Sequence, residues 1–254
     1  MRAYLALLLI ACAVPAAAQW FNVRNPDIPR HPDGTPNLEA PAPQLAGGTP
    51  DLTGIWRQPN GIKYTVNLDA DLPPGTVQMT PEGARLYKER QDNLSKDDPV
   101  GYCLYPGVPQ MNAVPYPYNI LQTPGQITIL YEAFRTFREI FTDGRAHPQD
   151  PNPAWFGYSI GHWEGDTLVV ETMGLNGKTW VDTGGHPSTD KLRVTERWRR
   201  RDFGHIELET TVDDPGSYLK PWTVKYELRL MPDTELLEYL CTENNKDVEH
   251  LVGK

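Results

Sequence analysis

Two histidines lie in long loops between predicted strands, and these loops carry the first candidates for chemistry. His147 is followed three residues later by the carboxylate of Asp150, and His186 follows the glycine pair Gly184-Gly185. Histidine titrates near neutral pH and is widely used to transfer protons, and loops at the rim of a barrel often carry binding residues. The two loops therefore predict a pocket in which His147 and His186 are catalytic. Exposed surface histidines are the alternative interpretation.

Glu171 becomes a third catalytic candidate through the geometry of a predicted hairpin. A three-residue loop over 164–166 would pair Trp163 with Thr167 and place Ser159 opposite Glu171 on one face. A serine beside a glutamate suits the lining of a polar pocket, so Ser159 is a candidate ligand-binding residue. The alternative is that this face of the hairpin is exposed to solvent.

Glu196 is a candidate because of the strand face on which it lies. It shares that face with Leu192, Val194 and Trp198, so an interior face would bury the carboxylate. A buried carboxylate must be paired or have a raised pKa, and a raised pKa is what a general acid requires. Pairing with an arginine such as Arg138 is the favoured interpretation.

Aromatic residues cluster between the two histidine loops, and Trp155, Tyr158 and Trp180 are candidate ligand-binding residues among them. Aromatic faces stack on sugars and planar ligands, although such residues also form ordinary barrel cores. Two histidines and a carboxylate would also suffice for a three-ligand metal site, but no pair has the close spacing of a local ligand motif. The residues therefore predict acid–base chemistry without a metal or other cofactor.

The N-terminus has the pattern of an export signal. Arg2 precedes an apolar run over 5–14, and Ala16-Ala17-Ala18 supplies the small residues that signal peptidase reads, which predicts a signal peptide over 1–18. The apolar run is too short for a membrane-spanning helix, which takes about 20 residues. We therefore expect a periplasmic or extracellular protein.

The net charge restricts the classes of binding partner, and the cysteine content indicates the cellular compartment. Removal of 1–18 takes away one basic residue and leaves 23 basic and 33 acidic residues, a net charge of −10. An acidic chain is a poor partner for nucleic acid or an anionic membrane, and the charge alone says nothing positive about the substrate. The small-molecule ligand is expected from the loop pocket. Cys12 leaves with the signal, and the remaining pair, Cys103 and Cys241, predicts a disulfide in an oxidising compartment.

The rest of the chain reads as strands and turns. Residues 19–50 contain seven prolines and predict an irregular arm, whereas 51–254 predict one all-β, mainly antiparallel domain. Thr80-Pro81-Glu82 predicts the start of one short helix that ends near Asn93. Alternating segments predict strands at 120–122, 127–131, 158–163, 167–172, 192–199, 206–212, 224–230 and 236–241. Eight to ten such strands in an exported protein favour a closed barrel, because an open sheet would leave exposed edges.

Two resemblances bear on this fold. Gly54-Ile55-Trp56, at the start of the first predicted strand, resembles the G-x-W opening of lipocalin-like barrels, in which the tryptophan plugs the closed end. The segment GYSIGHWEGDTLVVET over 157–172 resembles the signature of a large family of secreted bacterial proteins, as do DGRAHP over 143–148 and ELLEYLCTENN over 235–245. That resemblance implies the fold and export, and it implies no mechanism.

The chain departs from the second family at two places. His162 stands where the family pattern carries an arginine, and Ser188-Thr189 stands where it carries His-Ser. If the family histidine is catalytic in relatives, the same chemistry is in doubt here.

Together these features predict a secreted lipocalin-like β-barrel with a ligand pocket at its rim. The function expected is acid–base chemistry of the lyase, isomerase or hydrolase type on a small organic or sugar-derived molecule. The alternatives are a non-catalytic lipocalin-like carrier, a metal-dependent enzyme that uses the loop histidines, and an envelope protein whose arm contacts a partner.

Overall fold

The structure, a computed structural model, describes residues 23–243 and contains one closed barrel of nine strands in that range. The strands are β1 Gly54–Arg57, β2 Tyr118–Thr123, β3 Gln126–Tyr131, β4 Thr136–Phe141, β5 Tyr158–Glu164, β6 Thr167–Met173, β7 Arg193–Arg200, β8 His205–Asp213 and β9 Trp222–Leu230. Each strand pairs with the next along the chain, and β9 pairs with β1 to close the ring. The predicted closed all-β barrel is confirmed.

The strands alternate inward and outward residues, as a half-buried sheet requires. In β8, for example, Ile206, Leu208 and Val212 point into the core, whereas Glu207 and Glu209 lie on the outer surface. One expected strand is absent, because 236–241 has no sheet partner among residues 23–243. Strand β4 was not among the predicted strands.

All but one of the neighbouring strand pairs are antiparallel, and the exception is the parallel pair β4–β5. The two ends of the barrel differ in the length of the connections that they carry. We call the end where β1, β3, β6 and β8 finish the capped rim, because the long connections 58–117 and 174–192 both lie there. The opposite end carries the short hairpins β2–β3 and β5–β6.

The helices of the described chain lie mainly in the connection 58–117. They are α1 Gly61–Val66, α2 Pro81–Asp92 and α3 Gln110–Ala113, with 3-10 turns at Pro99–Tyr102 and, between β3 and β4, Ala133–Arg135. The predicted helix is confirmed as α2, and the Thr80 hydroxyl caps it by accepting the Gly83 N–H at 3.0 Å. The connection 58–117 also contains two shorter helices, α1 and α3, which were not predicted.

Trp56 of β1 lies in the core. It is fully buried, its indole Nε1 donates to the Leu52 carbonyl at 2.9 Å, and the Arg200 guanidinium lies 4.9 Å from its ring centroid. Gly54 has φ +134°, and a Cβ there would lie 2.7 Å from Leu230 Cδ1. The glycine thus lets β1 approach β9 closely while the tryptophan fills the interior.

The β5–β6 hairpin differs by one residue from the register predicted for it. Glu164 pairs with Thr167, which leaves a two-residue loop, and Ser159 pairs with Thr172. Because a shift of one residue turns a side chain to the other face, Ser159 points into the barrel and Glu171 points outwards. The predicted Ser159–Glu171 pairing is therefore wrong.

The described part of the proline-rich arm, 23–50, packs on the barrel. The backbone N–H groups of Phe203 and Gly204 donate to Ala40 and Leu38, each at 2.7 Å, and Arg30 pairs with Asp233 at 2.5 Å. The predicted signal peptide over 1–18 and its cleavage site lie outside the described residues.

The predicted disulfide is confirmed. Cys103 and Cys241 are bonded with a Cα–Cα distance of 5.6 Å, which ties the first 3-10 turn to the segment that follows β9. Such a bond is compatible with an oxidising compartment. Within residues 23–243, none of the helices has the length and apolar character needed to cross a bilayer.

Candidate active site

The connection 174–192 at the capped rim holds a buried histidine against a buried carboxylate. His186 is 2% exposed, and its Nδ1 lies 2.6 Å from Asp182 Oδ2. The other oxygen of Asp182 accepts the backbone N–H of His186 at 3.2 Å, and Oδ2 also accepts the Leu68 N–H at 2.8 Å. These contacts fix the imidazole with its Nδ1 proton directed at Asp182.

A second carboxylate lies on the opposite side of the imidazole. Asp69 Oδ2 is 3.6 Å from His186 Nε2, and the side chain of Asp69 is 25% exposed, against 0% for Asp182. Asp69 belongs to the segment after α1, which is 117 residues away from His186 in the sequence. It links the buried imidazole to solvent.

The charge state of this cluster follows from its geometry. Burial alone would lower the pKa of His186, but hydrogen bonding and charge from Asp182 and Asp69 outweigh it and raise that pKa to about 9. The His186 imidazolium in turn lowers the pKa of the Asp69 carboxyl. At neutral pH the site is therefore an imidazolium held between two carboxylates.

Helix α2 covers the cluster with an aromatic and a basic side chain. The Tyr87 ring lies 4.6 Å from the His186 ring, centroid to centroid, and Trp222 of β9 lies 5.9 Å away on another side. Arg90 places its guanidinium 4.1 Å from the Trp180 ring centroid and donates to the Gly185 carbonyl at 3.1 Å. Trp180 thus belongs to the same site as His186.

The glycine pair explains why the histidine loop can enter the space between two helices. A Cβ on Gly184 would lie 2.2 Å from the Val66 carbonyl oxygen, and Gly185 has φ +106° with Arg90 Cβ only 2.9 Å from such an atom. Any side chain at these positions would push the loop away from α1 and α2.

A second polar cluster lies inside the barrel around Glu196. Its carboxylate pairs with Arg138 at 2.5 Å, and both side chains are almost completely buried. The other carboxylate oxygen accepts the Asn112 side-chain N–H, and Asn112 accepts the Tyr131 hydroxyl at 2.8 Å. The favoured interpretation of Glu196, pairing with Arg138, is confirmed.

Arg138 connects this cluster to the hairpin β5–β6. Its Nε donates to Ser159 Oγ at 3.1 Å and its Nη2 to Thr172 Oγ1 at 2.8 Å. Two buried polar atoms of the barrel interior, Tyr118 Oη and Trp198 Nε1, have no hydrogen-bond partner within the described residues.

His147 and Glu171 lie together on the outer surface of the barrel. Burial is the main cause that lowers the pKa of His147, with the Glu171 charge opposing and Arg193 adding to that shift. The His147 ring is 6.1 Å from Tyr158, whose hydroxyl accepts from Arg145 at 3.3 Å. These groups differ from those around His186, so the structure does not bring the two histidines into one constellation.

The predicted site residues therefore fall into separate groups. His186 and Trp180 form the rim site, Ser159 and Glu196 the interior cluster, and His147, Glu171 and Tyr158 the outer group. Trp155 contacts Tyr105, at 6.4 Å between ring centroids. Within residues 23–243, no group of three or more histidine, cysteine, aspartate or glutamate side chains is arranged to hold a metal ion.

Sequence reasoning missed four members of the rim site: Asp182, Asp69, Tyr87 and Arg90. Asp182 precedes His186 by four residues, and that spacing was an available signal. Asp69 and the α2 residues are brought in by the chain path, for which the sequence has no local pattern.

No family model, curated protein or solved structure matches this chain. The fold and the site define a closed β-barrel with a histidine–aspartate cluster at its capped rim. Its function must be inferred from that cluster, because a barrel alone supports many functions.

Proposed function

We propose that the protein is an exported acid–base enzyme whose proton-transfer unit is the Asp182–His186–Asp69 cluster at the capped rim. The observation that carries this is the position of His186 Nε2, 3.6 Å from a partly exposed carboxylate, while Asp182 holds Nδ1 at 2.6 Å. One carboxylate orients the imidazole, and the other connects it to solvent.

In this mechanism Asp69 is the group that meets the substrate. Its carboxylate takes a proton from a substrate carbon or hydroxyl group, or from the attacking water in a hydrolysis, while the His186 imidazolium supplies a proton to the oxygen on which charge develops. In an isomerisation both protons stay on the substrate, and in an elimination or hydrolysis the proton from His186 leaves with the departing group. One proton is taken and one is given in each case, so no oxidant is needed. This pattern fits a lyase, isomerase or hydrolase that acts on a small organic or sugar-derived molecule.

Two further features support this site. The partly exposed Tyr87 supplies an aromatic surface next to the cluster, which suits a sugar ring or a planar molecule. The Cys103–Cys241 disulfide supports action in the periplasm or outside the cell, as the N-terminal signal pattern does.

The test is a turnover assay on the mature chain with three variants. Chromogenic glycosides and esters and a panel of α-hydroxy and α-keto acids are the probes. We expect His186→Asn and Asp69→Asn to lower kcat/KM by at least a hundredfold, in the range typical of general acid–base groups. The matched control is His147→Asn, which alters the outer group and is expected to retain turnover. Equal activity of the wild type and His186→Asn would falsify the proposal.

The activity also has an expected pH profile. With the pKa of His186 at about 9 and that of Asp69 below its ordinary value, kcat/KM should be level through neutral pH and fall as His186 loses its proton near pH 9. A basic limb near pH 6.5 instead would mean that an unperturbed histidine carries the reaction.

A non-catalytic carrier is the second candidate, and a separate observation favours it. Tyr118 Oη and Trp198 Nε1 are buried inside the barrel without a partner among residues 23–243, and each such atom costs about 1–3 kcal/mol if nothing pairs with it. A small polar guest in the barrel interior would satisfy both. Native mass spectrometry of protein purified without a tag distinguishes the candidates, because a carrier retains a molecule that incubation leaves unchanged.

A further inference from the structure

A small pocket lies beside α1, between that helix, α3 and the segment that follows β9. Its volume is about 260 Å³, and apolar side chains form most of its wall. Ile62 and Val66, one turn apart on α1, are 74% and 54% exposed at this pocket. Solvent-exposed aliphatic side chains at the edge of a concave site are typical of small-molecule binding.

Two polar side chains in this apolar wall have unused hydrogen-bonding groups. Gln110 of α3 is 1% exposed, and neither its Oε1 nor its Nε2 has a partner within the described residues. The hydroxyl oxygen of Thr65, which also lines the pocket, is buried without a partner in the same range. Buried side-chain amides are normally hydrogen-bonded, so these groups indicate a bound partner.

The chemistry of the amide defines what the partner must present. A primary amide offers one acceptor and one donor side by side, and its complement is a neighbouring N–H and C=O on the ligand. The lining residues include no charged side chain, and an ionised ligand would lose its hydration there without a counter-charge. A neutral ligand is therefore favoured over a carboxylate.

The aromatic residues of the pocket define its shape. Tyr239 lies 5.3 Å from Tyr116 and 6.1 Å from Phe134, centroid to centroid, and all three rings line the cavity. Aromatic faces of this kind pack on flat rings. A cavity of about 260 Å³ accommodates a single ring with small substituents.

We propose that this pocket binds a small, neutral, planar molecule that carries adjacent N–H and C=O groups, such as a lactam or a cyclic imide. The Gln110 amide pairs with those two groups, and the tyrosines and Phe134 pack against the ring. This site is separate from the His186 cluster and does not depend on the function proposed for it.

The test measures binding of 2-pyridone to the mature chain, with N-methyl-2-pyridone as the matched probe that lacks the N–H donor. Saturation-transfer NMR and titration calorimetry give the two dissociation constants. We expect 2-pyridone to bind at least tenfold more tightly than its N-methyl derivative. No binding of either probe, as for a pocket that holds only water, overturns the proposal, and so does equal binding of both.

Variants then assign the contact to Gln110. Gln110→Met keeps the side-chain volume but removes the amide, and it should weaken 2-pyridone binding at least tenfold. Gln149→Met alters an exposed glutamine in the connection 142–157 and should leave binding unchanged. Unaltered binding by Gln110→Met contradicts the assignment. If this variant does not fold, the two probes on the wild-type chain still decide. Turnover assays at the rim site are independent of all these outcomes.

Discussion

Single residues in this barrel carry charge in places where water cannot screen it. His186 is the clearest case, because its imidazolium is buried and lies between Asp182 and Asp69. Burial of a charge is costly unless a partner of opposite sign lies close by, and here two such partners do. The protonation of His186 is thereby coupled to the folding of the connections 58–117 and 174–192 at the capped rim.

This coupling predicts how stability depends on pH. The folded-state pKa of His186, about 9, lies above its ordinary value of 6.5. The stabilisation is therefore fully present below about pH 6.5 and is lost as the pH rises through 9, by on the order of 3 kcal/mol. Urea denaturation between pH 6 and 10 should show this loss in the wild type and not in His186→Asn. Burial raises the pKa of Asp98 to about 6, so it titrates at the acid edge of this range, in the wild type and in His186→Asn alike.

The ion pair inside the barrel makes a second prediction at this scale. Glu196→Gln leaves the Arg138 charge buried without its partner, which should cost about 3–5 kcal/mol in the free energy of unfolding. Adding Arg138→Met removes the unpaired charge and should recover part of that loss. A cost below about 1 kcal/mol for Glu196→Gln, measured in urea, would show that the charge is neutralised in another way.

The helices and loops at the capped rim determine which of these charged side chains come into contact. The glycine pair before His186 lets one loop pass between α1 and α2, and that passage brings Asp182 and His186 to Asp69. Replacing a glycine there should act on the site through the backbone rather than through a lost contact.

Gly184→Ala tests the role of that loop. The new Cβ would lie 2.2 Å from the Val66 carbonyl oxygen, so we expect a loss of about 2 kcal/mol in stability and a lowered pKa of His186 as the loop moves away from Asp69. NMR titration of the imidazole measures that pKa. Gly144→Ala is the control, because φ there is +82° but the space is open, and its cost should be about 1 kcal/mol with no change at His186.

The elements also show where sequence reasoning succeeded. Strands with clear alternation, such as β8 and β9, and the capped helix α2 were predicted because each carries its own signal. Strand β4 was missed because Arg138 occupies an interior position, which breaks the apolar alternation. The β5–β6 register was wrong by one residue, because Glu164-Gly165-Asp166 is compatible with loops of two or three residues.

The candidate site was predictable only in part. His186 could be selected because it follows two glycines in a long loop, but its partners could not. Asp69 and Tyr87 reach it through the fold of 58–117, and contacts at such separations depend on packing that no local pattern encodes.

At the scale of the whole molecule, the disulfide joins the connection 58–117 at the capped rim to the segment that follows β9. Cys103 and Cys241 close a loop of 138 residues, and the chain-entropy estimate for such a loop is about 5 kcal/mol. Cys103→Ser with Cys241→Ser should lower the free energy of unfolding by several kcal/mol in urea. It should also weaken 2-pyridone binding, because Tyr239 is two residues from Cys241. Unchanged stability would mean that packing alone fixes the segment.

The number of strands has a consequence of its own. A ring in which every neighbour runs in the opposite direction needs an even count, so a nine-strand ring must contain at least one parallel pair, and here it is β4–β5. That seam has only two register pairs, and so does the β1–β9 seam. The cylinder is thus two arcs, of four and five strands, that meet along two narrow joints. The Arg138–Glu196 pair crosses the interior from β4 in one arc to β7 in the other, so it links the two arcs at a place away from both seams.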